Sequence, residues 1–420
     1  MSDRDALLAA VCAQPDDDTV RLVLADYLEE NGEAGRAAFI RAQVELARTP
    51  PWEPFAVRCR WREPEVVTGK EFLKSLPRVD GVNLAWSSEP FHRGFGWSLG
   101  VRHASLWAEL AEPVFACEPV GRVHFWSGTL DDWRRVAASG SVSQFRELVF
   151  NLGPNEPLLA LRDREAAGGV TDVHFLRASG AGMPEVLEDL LPSALGRGIR
   201  GLHFRTGYES LRELVGSLNS AQHLQRLSFS NMGITPDRLR QLLEGPPAAT
   251  LEELHFRDEP LGGAGLAALG ELAPAGLRDL TLSAVGVRPD GLEPLLRSER
   301  LVGLRRLNLG RNALAPRSTK LLSQSWPLAG LRSLDLSGCH VGDKGVRHIS
   351  RAAFWPNLVE LDLRGNSLSG AGVRHLLDAP VPAGLTALVL DGESLGAEGR
   401  GLLARKYGAA AVFAAPEVRA

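Results

Sequence analysis

The feature that most constrains this chain is a nine-residue string that keeps returning. "LRRLNLGRN" (304–312), "LRSLDLSGC" (331–339), "LVELDLRGN" (358–366) and "LTALVLDGE" (385–393) begin 27 residues apart. Upstream the frame continues as "LRDLTLSAV" (277), "LEELHFRDE" (251), "LQRLSFSNM" (224), "IRGLHFRTG" (199), "VTDVHFLRA" (170), "FRELVFNLG" (145) and "VGRVHFWSG" (120), at spacings of 25 to 29. A weaker twelfth unit begins at "GFGWSLGVR" (94–102). Positions one, four and six are apolar in almost every unit, which suits a short strand with one face buried. The second half of each unit, such as "GDKGVRHISRAAF" (342–354), opens on turn residues and then places apolar side chains at helical spacing. One unit cannot bury its own apolar face. Stacked units share a continuous core, with parallel strands inside the curve and helices outside.

This pattern resembles the leucine-rich repeat family, and the 25–29 spacing with a helical second half resembles its ribonuclease-inhibitor-like subtype. The resemblance implies an α/β solenoid, a horseshoe with a parallel concave sheet and convex helices. The ninth position departs from the family: only Asn312 and Asn366 supply its usual asparagine and Cys339 its cysteine, while Gly, Ala, Val, Met and Glu stand elsewhere. The expected layout is a helical module at 1–50, a linker and N-terminal cap at 51–93, repeats at 94–400 and a C-terminal cap at 401–420. Seven of the nine tryptophans fall in 52–133, which suits a bulky aromatic cap or a stacking platform.

The opening 50 residues differ in kind. They carry ten Asp/Glu and five Lys/Arg, a net −5 in a chain of net −4. "DRDALLAAVCAQ", "DDDTVRLVLADYLEENG" and "AGRAAFIRAQVELAR" read as three helices. Asp16–Asp18 sit where a helix favours N-caps and negative charge. A calcium loop starting at Asp16 would need Gly and Glu where Arg21 and Tyr27 stand, so that reading fails. The wording P-D-D-D-x-x-R-L-V-x-A-D-x-L-E-E-x-G, then A-x-F-I-R-x-Q-x-E-L-A, resembles the bacterial repeat-companion domain. That resemblance implies no catalytic role, only contacts within the module for Asp26, Arg41 and Glu45. "FHRGF" (91–95) resembles the usual junction into such repeats.

Strand positions three, five and seven face the concave surface. Position five reads His124, Val149, His174, His203, Ser228, His255, Thr281, Asn308, Asp335, Asp362 and Val389, so four of ten histidines share one column. The neighbouring columns add Arg122, Asp172 and Arg226, then Trp126, Arg205 and Arg257. These ten His, Trp, Arg and Asp residues, all in the earlier repeats, are the expected partner-binding set, since Trp and Arg commonly anchor protein interfaces. A metal site on Asp172, His174 and His203, a pH-sensitive surface, and a structural role for the histidines are the competing readings.

Neither a phosphate loop nor H-E-x-x-H occurs in the sequence. The expectation is therefore a non-enzymatic protein-interaction scaffold without cofactor or metal. An inhibitor-like or GTPase-activator-like regulatory subunit is the alternative, on analogy of fold alone. Near-zero net charge argues against nucleic acid. The four cysteines form no C-x-x-C pair, no basic leader precedes them, and no apolar run reaches membrane-spanning length, so a cytoplasmic protein is expected.

Overall fold

The computed structural model describes residues 2–76, 85–87, 90–151, 160–162, 164, 167, 169–176, 183–205, 211–314 and 316–414. It divides into two compact units: Met1–Pro50 with Arg62–Glu209, and Pro51–Trp61 with Ser210–Ala420.

The first unit opens with three helices, α1 (Asp3–Ala13), α2 (Asp18–Glu30) and α3 (Ala34–Arg48). Val11, Leu24, Ala25, Leu28, Ala37, Ile40 and Val44 bury their side chains together with Phe95. The three aspartates have three separate roles. Asp17 is the N-cap of α2, accepting the Thr19 N–H at 2.8 Å. Asp18 is buried and pairs with Arg48 at 2.7 Å and Arg93 at 3.0 Å. Asp16 pairs with Arg146 at 2.5 Å. Arg41 reaches Asp26 at 2.6 Å and Glu29 at 2.7 Å within the module.

Strands follow as β1 (Ala85–Trp86), β2 (Phe91–His92), β3 (Phe95–Gly96), β4 (Ser98–Val101), β5 (Arg122–Phe125), β6 (Glu147–Phe150), β7 (Asp172–Phe175) and β8 (Gly201–Arg205). The junction motif is a hairpin of β2 and β3. Its central Arg93 and Gly94 have φ of 53° and 87°, the positive values a tight two-residue hairpin favours. A Cβ on Gly94 would lie 2.7 Å from the Ile40 Cα, so only glycine lets the turn close on α3. Strands β4 to β8 run parallel with Ser98, Arg122, Glu147, Asp172 and Gly201 aligned. These are third positions of successive units. Ser98 in that row starts its unit at Gly96, two residues later than the frame read from 94.

The second unit holds α4 (Pro54–Trp61) and β9 (Arg226–Ser230), β10 (Glu253–Arg257), β11 (Asp279–Ser283), β12 (Arg306–Asn308), β13 (Ser333–Asp335), β14 (Glu360–Asp362), β15 (Ala387–Asp391) and β16 (Ala411–Ala414). These strands pair in parallel, each with its neighbour in sequence. Residues 51–93 thus do not form one segment, because 51–61 belong to this unit. Gly408, at φ 55°, follows the helix Gly396–Tyr407 and precedes the closing strand β16.

The sixth position is a phenylalanine in the units of β5 through β10 and a leucine in those of β11 through β15. Phe150, Phe175 and Phe204 stack in the first unit at 6.2 and 5.3 Å between ring centres. Phe229 and Phe256 stack at 5.8 Å in the second. The ninth-position polar residues tie each unit to the one before. Asn312 Oδ1 accepts the N–H groups of Val285 and Val287 at 3.0 and 3.2 Å. Asn366 does the same for Cys339 and Val341 at 3.1 and 2.9 Å. Glu259 takes this role with a carboxylate, accepting from Met232 at 2.7 Å and Ile234 at 2.8 Å while 1% exposed.

Candidate functional site

Alternation along the strands divides their side chains. On β5 and β10, positions four and six are buried while three and five are half-buried. This open face carries all ten residues singled out in the sequence. Arg122, His124, Trp126, Asp172, His174, His203 and Arg205 stand in the first unit, and Arg226, His255 and Arg257 in the second.

The first set is brought together by the parallel register. His124 stacks on Trp126 with ring centres 4.4 Å apart, and its Nε2 is buried without a hydrogen-bond partner. Burial, then Arg122 and His174, lowers the pKa of His124 and favours neutral imidazole. His174 stacks on His203 at 4.1 Å, the rings nearly parallel at 11°. Beside that stack lies a row of third-position carboxylates on the preceding strands. His174 Nε2 is 3.6 Å from Glu147, and His203 Nε2 is 3.4 Å from Asp172. Arg122 approaches Glu147 from the other side at 3.4 Å. Burial alone would raise the Glu147 pKa, but His174 and Arg122 hold it below its ordinary value. Beside the His124–Trp126 pair lies a cavity that would admit one side chain of a partner. Its volume is about 440 Å³, and it is lined by Trp86, Ser98, Arg122, His124, Trp126 and Val149.

In the second unit the pattern recurs with the next strand. His255 Nε2 lies 3.3 Å from Asp279 Oδ1, without hydrogen-bond geometry. Arg306 reaches the other Asp279 oxygen at 3.2 Å. Arg257 is exposed and Arg226 half-buried. Asp172, His174 and His203 form a stack with carboxylate support. Among the described residues no three His, Cys, Asp or Glu side chains converge as a metal site.

The sequence columns missed one assembly. Helix α4 lies on the open face of β14 to β16. Arg60 gives two hydrogen bonds to Glu360, at 2.6 and 2.8 Å. Trp61 Nε1 donates to the same carboxylate at 2.5 Å, and Ser333 Oγ at 2.6 Å. The Arg364 guanidinium lies 4.9 Å from the Trp61 ring centre. Val57 is fully buried with Val359, Ala387 and Val389. Arg332 pairs with Glu53 at 3.2 Å. The available signal was Ala387 and Val389 themselves: two apolar residues in consecutive open-face columns of one strand imply a cover. Burial and the nearby Asp335 push Asp362 up to about 6, although Arg364 pairs with it at 2.6 Å.

A family profile described as "Leucine Rich repeat" matches residues 331–350 and 356–377. No curated protein matches the chain. Among solved structures, an internalin (inlF) from Listeria monocytogenes overlays with a TM-score of 0.38 at 16% identity, over 63% of this chain and 71% of that one. A chain from the Rad7 and Elc1 complex in yeast overlays with a TM-score of 0.43 at 14% identity, over 89% of this chain and 91% of that one. Neither overlay is close enough to bear on function. The repeating strands and helices make the fold an α/β leucine-rich-repeat solenoid preceded by a small helical module. No helix among the described residues is long and apolar enough to cross a membrane.

Proposed function

We propose that this protein is a non-enzymatic recognition scaffold that binds a protein partner on the open face of its repeats. The observation that carries this reading is the cavity of about 440 Å³ around His124 and Trp126, with Arg122 on its wall. Its lining is aromatic, basic and apolar, the composition that anchors protein interfaces. The histidine and carboxylate rows beside it are held by rigid strands, so little order has to be created on binding. Arg205 and, in the second unit, Arg257 extend exposed cations from the same column. The setting we infer is the cytoplasm, and the module at 1–50 serves as the cap of the first repeats.

The test is quantitative affinity capture from the native host. The wild type is compared with a Trp126→Ala, Arg122→Ala chain and a His174→Ala, His203→Ala, Arg205→Ala chain, each first matched to wild type by circular dichroism. The expected result is a protein retained by wild type and depleted at least tenfold by either variant. Equal retention by all three chains, or none by any, overturns the reading. Hydrolytic or transfer activity lost in these variants would overturn the non-enzymatic part.

A further inference from the structure

The chain leaves the first unit after Pro50, spends 51–61 in the second, and returns at Arg62. An eight-residue helix such as α4 is too short to hold itself together in water, so its order comes from its seat. That seat has the make-up of an interface. The contacts concentrate in Val57, Arg60 and Trp61, which lie at i, i+3 and i+4 and share one side of the helix. Val57, Val359, Ala387 and Val389 form a cluster of their own with Trp61, Val412 and Ala414 around it. The strands below pair with one another, so α4 supplies none of the sheet's hydrogen bonds.

We propose that the open face of β14 to β16 is a helix-docking site, and that α4 is its displaceable resident. The partner it fits is a protein helix presenting an apolar residue followed three and four places later by arginine and tryptophan. Glu360 recognises the arginine and the indole N–H together, Arg364 lies over the aromatic ring, and Val359, Ala387 and Val389 receive the apolar side chain. This inference rests on the reading that the open face binds proteins, and it names the chemistry of one such partner. A segment tethered in the same chain acts at an effective concentration of roughly millimolar, so it masks the site from weak competitors and yields to a strong one.

The probe is a fluorescent peptide of residues 50–63 with Cys59→Ser, added to the full chain and read by anisotropy. Wild type is expected to bind it weakly. An Arg60→Ala, Trp61→Ala chain, whose own helix no longer competes, is expected to bind at least tenfold more tightly. Adding Glu360→Gln to that chain is expected to remove the gain. Equal binding by wild type and the double variant, including none by either, makes α4 a permanent part of the fold and overturns the proposal. Should the double variant fail to fold, Cys59 supplies the readout in wild type, since it is fully buried. Excess peptide is expected to speed its alkylation while Cys339 stays protected, and an unchanged rate overturns the proposal. Neither measurement uses an outside partner or the surface around Trp126, so their failure is separable from failure of the capture experiment.

Discussion

Arg60 and Glu360 stand 300 residues apart in sequence and share two hydrogen bonds. Glu360 is 5% exposed, and burial alone would raise its pKa; Arg60, Ser333 and Trp61 hold it below the ordinary value. Urea unfolding of wild type, Arg60→Ala, Glu360→Gln and the double variant is expected to give a coupling of about 1–2 kcal/mol. That is below the range for a fully buried pair because Arg60 remains about a third exposed. A coupling near zero would make the contact incidental.

Glu259 spans two N–H groups with its two carboxylate oxygens. Glutamine in its place keeps one of those acceptors and puts an NH2 donor where the other oxygen meets an amide N–H. Glu259→Gln is expected to destabilise the second unit modestly, and Glu259→Ala by about 2–4 kcal/mol, since each buried unsatisfied donor costs about 1–3 kcal/mol. Denaturant midpoints for the two variants give the order directly. Equal midpoints would deny the residue its role in the ladder.

Glu118 is 6% exposed and accepts the Gly96 N–H at 2.6 Å. Burial pushes its pKa from 4.5 up to about 7. The folded chain therefore holds this proton more firmly than the unfolded chain does. The resulting stabilisation is full below pH 4.5 and is lost as pH rises to about 7. Glu118→Gln mimics the protonated acid, keeps an acceptor for Gly96 and removes the dependence. Relative to wild type, the variant's unfolding free energy is expected to be larger at pH 8 than at pH 5 by on the order of 3 kcal/mol, read from urea unfolding at the two pH values. A pH-independent difference would contradict the burial argument.

Gly201 makes room for the carboxylate that meets His203. A Cβ there would lie 1.9 Å from Asp172 Oδ1 and 3.1 Å from His203 Nε2. Gly201→Ala is expected to drive Asp172 off His203, shift the His203 imidazole resonances and cost about 1–3 kcal/mol. Unchanged resonances would show that the row has slack.

Much of this architecture is readable in the string of nine. Its apolar positions locate the strands, and its period aligns Asp172 with Gly201 and His174 with His203. What the string hides is whatever bonds across the period. Glu259 stands where an asparagine does in later units, its two carboxylate oxygens taking the two amides that one asparagine oxygen takes there, and no residue-type rule anticipates that. Of three consecutive aspartates only Asp17 caps its helix, because the arginines that claim Asp16 and Asp18 come from distant parts of the chain. Arg60, Trp61 and Glu360 escaped for the same reason: local patterns hold no record of contacts between residues 300 apart. The partial exception is Val389, whose apolar side chain in a polar column marks a covered strand.

The seat of α4 also sets an order of events during synthesis. At roughly 5–20 residues per second, the ribosome needs on the order of 15–60 s to travel from Arg60 to Glu360. Through that interval the segment that becomes the helix has been made and its seat has not. An apolar, arginine-bearing stretch then waits in solution while the repeats it will cover are still being laid down, one behind another. Its docking is necessarily among the last steps of maturation, and nascent chains stalled before residue 360 carry it uncovered.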